Sequence, residues 1–103
     1  MNAPLIPDEQ FEFDRRRARE ILQEVISSTR IVGFRTRLVF QSEEAATNLL
    51  KDDQYLNLNN RRYAGTELQF NPKLPPEIVE AVCLDEDQVV STRTFRFVSP
   101  SFN

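Results

Sequence analysis

The chain contains no histidine. Ser-His and Cys-His catalysis, and metal binding through imidazole, therefore have no residue to use unless a partner supplies one. Cysteine occurs once, at Cys83, so neither an internal disulfide nor a multi-thiolate metal site can form, and a reducing compartment is expected. Glycine occurs only at Gly33 and Gly65, too few to write a Gly-x-Gly-x-x-Gly fingerprint or a phosphate-cradling P-loop. Tryptophan is absent, and lysine appears twice against eleven arginines. No run approaches the roughly 20 apolar residues that cross a bilayer, and residues 1–7 have neither a basic nor an apolar leader character. These absences predict a cytoplasmic protein that has no membrane partner, needs no cofactor and binds no metal.

What is present suits one folded unit. The 103 residues include 40% hydrophobic positions, 28% charged positions, eight Phe and two Tyr. A chain of that length and composition can bury a core without a disulfide or metal staple. No repeat, low-complexity run or Gly/Ser linker divides it. Residues 1–103 are expected to form a single compact domain, with 1–7 and 99–103 as flexible tails.

Net charge is -3, which argues against a protein that coats nucleic acid by bulk positive charge. The charge is nevertheless segregated along the chain. Residues 1–41 hold seven Arg against six acids, whereas 75–90 hold Glu77, Glu80, Asp85, Glu86 and Asp87 with no base. Guanidinium groups favour bidentate pairing and aromatic stacking, so an Arg-rich chain points to interfaces within or between molecules, although genomic base composition biases the same ratio.

Hydrophobic periodicity supplies the elements. Ala18, Ile21, Leu22, Val25 and Ile26 lie on one arc at helical spacing, predicting an amphipathic helix over 14–28. Asp8 or Asp14 can cap it, and a start at Asp8 would leave Phe13 on the polar face. The 31–40 segment alternates as a half-buried strand, with Phe34, Thr36, Leu38 and Phe40 on one side and Arg35 and Arg37 on the other. Ser42 caps a short helix through Leu50, and an Asn-rich loop follows around 56–60. Residues 63–70 read as one strand around Gly65, and 71–76 as a proline-stiffened connector. The stretch 76–84 fits helix or strand; strand is favoured because 85–88 is a plausible turn into the β-branched run 89–98. The expected fold is α+β: a small antiparallel sheet of about four strands, an N-terminal amphipathic helix and a second short helix.

Candidate functional residues fall in four groups. Arg61, Arg62 and Tyr63 have the composition of an interface hot spot or a base-stacking platform; alternatively the tyrosine packs down and the arginines pair with Asp52 or Asp53. Arg16 and Arg17 have acids at helical spacing, leaving Arg15 and Arg19, with Phe13, as the members that could face a partner; a solvated helix face is the competing reading. Arg35 and Arg37, joined by Arg93 if the strands pair suitably, could make a basic sheet face, unless Glu67 or Glu80 neutralises it across the strands. The acids of 77–87 lack the spacing and glycine of a calcium loop, so a solvated turn or an acidic docking surface fits better than a metal site.

No nucleophile motif and no singled-out carboxylate pair is present, so the sequence predicts a non-enzymatic protein. The leading expectation is a non-catalytic protein-interaction module, a small subunit, adaptor or inhibitor acting on a protein partner or on copies of itself. The alternative is a nucleic-acid-binding regulator using the Arg and Tyr patches.

Overall fold

The structure, a computed structural model, describes residues 9–12 and 14–98. In chain order the elements are β1 (Glu9–Glu12), α1 (Arg15–Ile31), β2 (Arg35–Phe40), α2 (Glu43–Leu50), β3 (Leu56–Asn57), β4 (Arg62–Tyr63), β5 (Thr66–Phe70), β6 (Ile78–Asp85) and β7 (Gln88–Val98). The α+β class with two helices stands. The sheet is larger than the four strands expected and is mixed: its order is β1-β7-β6-β2-β5-β4-β3, with β1 parallel to β7 and β2 parallel to β5. The tails expected at 1–7 and 99–103, and Phe13, lie outside the described residues.

Two connections account for the layering. β1 reaches β2 through α1, and β2 reaches β5 through α2, both crossovers moving the same way along the sheet. Crossovers of one handedness that progress in one direction place their helices on the same face. Accordingly Ala18, Leu22, Val25 and Ile26 of α1 and Ala46, Leu49 and Leu50 of α2 share one core. From the sheet it takes Leu38, Phe40, Tyr63, Leu68, Val79, Ala81, Phe95 and Phe97. On the other face, Leu74 of the proline connector packs on Val39 and Ile78.

Local chemistry sets the boundaries. Asp14, in extended conformation, accepts from the Arg16 amide and starts α1, so the earlier start at Asp8 does not occur and 9–12 is a strand instead. At the other end α1 runs past the expected position to Ile31. There Gly33, at φ +85°, closes a Schellman motif in which the Gly33 amide donates to the Arg30 carbonyl and the Phe34 amide to Thr29. Residues 31–34 are therefore helix end and turn rather than strand. Ser42 caps α2 by accepting from the Ala45 amide.

The strand expected over 63–70 is broken by a two-residue turn at Ala64 and Gly65. Both have positive φ, and the flanking Tyr63 and Thr66 pair across it, as in a type I′ hairpin. Residues 78–85 form a strand, paired antiparallel with both β2 and β7. A bulge at Cys83/Leu84 interrupts the β6–β7 ladder.

Candidate functional site

The Arg61, Arg62 and Tyr63 cluster is split by the fold. Tyr63 is fully buried; its hydroxyl donates to the Asp53 carboxylate at 2.7 Å and accepts from the Gln23 side-chain amide at 3.1 Å. Burial, then the bond to Asp53, push the phenol far above its ordinary range, against weaker opposing effects of Gln23 and the Arg19 charge. Tyr63 is thus a neutral, enclosed tie rather than a contact residue, a correction to its expected place on a binding surface. Arg61 is exposed in left-handed backbone (φ +52°), its guanidinium 5.8 Å from the Phe70 ring centroid. Arg62, also exposed, donates to the Gly65 carbonyl at 3.4 Å.

On α1, Arg16 pairs with Glu20 at 3.6 Å as helical spacing predicts. Arg15 donates through Nε to the Asn48 carbonyl at 2.9 Å, joining α1 to the exposed side of α2. Arg19 is half-buried, with its charge felt at Tyr63. Both arginines thus have interactions within the fold.

The basic sheet face has a different membership from the one expected. Register places Arg37 opposite Val82 and Val82 opposite Thr92, whereas Arg93 is opposite Ala81 on the helix-covered side, 5.0 Å from the Phe95 ring centroid. By strand alternation Arg96, not Arg93, shares a face with Arg35 and Arg37. That face is largely neutralised: Arg37 meets Glu67 at 3.2 Å, Arg35 meets Asp87 at 3.2 Å, and Arg96 meets Glu77 at 3.6 Å. Among the described residues no group of three or more Cys, Asp and Glu converges as metal ligands would. No helix there is long and apolar enough to cross a membrane.

Two surface features emerge that the sequence reading passed over. The first is apolar. Ile31, Val32, Val89 and Val90 are four of the five large hydrophobic side chains that remain more than half exposed among the described residues. Val32 and Val90 line one groove of about 280 Å³ with Phe34, Ala81 and half-buried Cys83. Beside it, β7 pairs with β6 from Gln88 onward, and among the described residues β1 covers its outer edge from Phe95 to Val98.

The second is cationic. Arg30, in the last turn of α1, donates to the Ala64 carbonyl at 3.3 Å, next to the Gly65 carbonyl held by Arg62. Consecutive carbonyls of one turn thus bring two guanidiniums to the mouth of a cleft of about 250 Å³. Tyr55, half-exposed, lies along the adjoining groove with the same two arginines.

Neither feature could be read from local pattern alone. Ile31 and Val32 look like strand residues until Gly33 is recognised as a helix stop, and Arg30 gains its meaning only from contact with a turn 34 residues away. No family model, no curated protein and no solved structure matches this chain.

Proposed function

We propose that this chain is a non-catalytic interaction module, a small subunit that assembles by covering the apolar strip at the end of α1 and the start of β7, and that the covering partner is a second copy. The observation that carries this reading is the pairing of Val32 (64% exposed) and Val90 (53% exposed) on one groove beside a strand edge that, among the described residues, β1 covers only from Phe95 onward. Exposed aliphatic side chains grouped in this way favour burial against another protein.

The edge itself supports self-association. Gln88-Val-Val-Ser-Thr92 has no proline and no charge, two of the devices by which edge strands resist pairing; a third, a bulge, is present in the segment at Val90. Two such edges can pair antiparallel about a two-fold axis, each satisfying the other's backbone groups. With Val90 near the axis, the exposed Val89 and Val90 side chains of the two copies come together and form a hydrophobic centre.

Light scattering over a wide concentration range tests this. Self-association gives twice the 12.0 kDa chain mass, and Val90→Lys, which puts a like charge on both sides of the axis, returns the monomer with its circular dichroism unchanged. A wild-type protein that stays monomeric at all concentrations contradicts the reading. The nucleic-acid alternative draws less support: Tyr63, its stacking residue, is enclosed, and Arg93 is on the face opposite Arg35 and Arg37.

A further inference from the structure

We propose that the cleft between the end of α1 and the Ala64–Gly65 turn binds a small phosphomonoester, its phosphate held by Arg30 and Arg62 and its organic body lying against the apolar wall. The site is separate from the strip proposed for assembly, although Phe34 and Thr36 stand between the two.

Charge accounting comes first. The cleft is lined by Arg30, Arg35, Arg62 and Glu67 among its charged side chains. Glu67 is held by Arg37, and Arg35 by Asp87 and the Glu86 carbonyl. Arg30 and Arg62 hold only the backbone carbonyls of Ala64 and Gly65, and among the described residues no carboxylate is within 4.0 Å of either. Each guanidinium carries five N–H donors, so one long bond to a carbonyl leaves most of them available to a tetrahedral anion.

The wall contributes a second, independent observation. Thr36 is 9% exposed, and its hydroxyl has no hydrogen-bond partner. Leaving a buried hydroxyl unpaired is unfavourable; the oxygen is enclosed, so rotation of the Thr36 side chain toward the cleft is what would give it an anion oxygen as partner.

Size and lining select the class of ligand. About 250 Å³ exceeds what a bare phosphate ion fills, and Ile26, Phe34 and Leu84 line the remainder. A phosphate ester with an apolar or aromatic body therefore fits better than the free ion. A long polyanion fits less well, because the net charge is -3 and the hairpin at Asp85 to Asp87 next to the cleft-lining Arg35 is acidic.

Titration with phenyl phosphate, inorganic phosphate and benzoate, followed by backbone amide NMR, tests the proposal. Phenyl phosphate is expected to saturate, to shift amides around Arg30, Thr36 and Gly65, and to bind several-fold tighter than either other probe. Arg30→Gln with Arg62→Gln should lower its affinity by about tenfold or more, given the worth of hydrogen bonds to charged groups, with the unliganded spectrum otherwise intact. Thr36→Val should weaken binding by a smaller factor without loss of folding. The proposal is overturned if phenyl phosphate gives no saturable shift, if the double variant binds it as the wild type does, or if the shifts map elsewhere. Equal binding of inorganic phosphate overturns the role given to the apolar wall, and equal binding of benzoate overturns the preference for phosphate. Because Arg62 and Gly65 line the cleft and not the assembly groove, shifts there read ligand binding whether or not the chain self-associates.

Discussion

The Tyr63 hydroxyl donates to the Asp53 carboxylate at 2.7 Å, and the other oxygen of the same carboxylate accepts the Tyr55 amide at 3.0 Å. One buried acid thereby fixes both the turn after α2 and the strand β4, and Gln23 fastens the pair to α1. Arg61 and Arg62 owe their positions to this tie, since they directly precede the anchored tyrosine.

Tyr63→Phe keeps the ring and removes the hydroxyl, leaving the buried Asp53 without that donor. Urea denaturation should show a loss of about 1–3 kcal/mol, the range for orphaning a buried polar group. A loss below a few tenths would mean that water replaces the phenol without penalty.

The same tie gives a pH dependence of defined sign. The folded state raises the Tyr63 phenol above its ordinary value of 10.0, so above that pH the unfolded chain releases its proton while the native one retains it. Stability from this residue is fully present below about pH 10 and falls as pH rises beyond it. Denaturation midpoints measured through the alkaline range should decline more steeply for the wild type than for Tyr63→Phe.

Ala64 carries the strain of the β4–β5 turn, with φ at +50°. Ala64→Gly should stabilise the protein by about 0.5–1 kcal/mol, because relief of the left-handed conformation outweighs the added freedom of the unfolded chain. The carbonyl that Arg30 uses is retained. Thermal unfolding checks the sign, and a destabilised variant would show that packing of the Ala64 methyl on the core matters more.

Arg37 and Glu67 face each other across parallel strands, their side chains 28% and 42% exposed. A double-mutant cycle should give a coupling of about 0.5 kcal/mol that shrinks with salt. The Arg16–Glu20 pair, open to solvent on both sides, should couple more weakly. Equal couplings would mean that partial burial adds nothing.

Much of the fold was legible where periodicity and end signals agree. The α1 stripe, the Ser42 cap and the β-branched 89–98 run each point one way, and the strand expected within 76–84 forms over Ile78–Asp85. The misreadings share a cause: a glycine or alanine that reverses the chain looks, in a list of residues, like part of the strand around it. Gly33 ends a helix, and Ala64–Gly65 make a hairpin. The Glu9–Glu12 strand carries no alternation that distinguishes it from a helix start; only β7, more than 80 residues later, gives it a partner. For the surface, charge pairing was readable at i, i+4, as with Arg16 and Glu20. The burial of Tyr63 and the meeting of Arg30 with Arg62 depend on contacts between distant segments.

Amide hydrogen exchange of Val89 to Thr92, measured at low and high protein concentration, bears most directly on the claim that this chain works by covering its β7 edge. The account predicts that protection of those amides that point away from β6 rises with concentration in the wild type and stays low at all concentrations in Val90→Lys, while amides bonded to β6 are protected in both. Protection that is independent of concentration, with no difference between the two proteins, would contradict it.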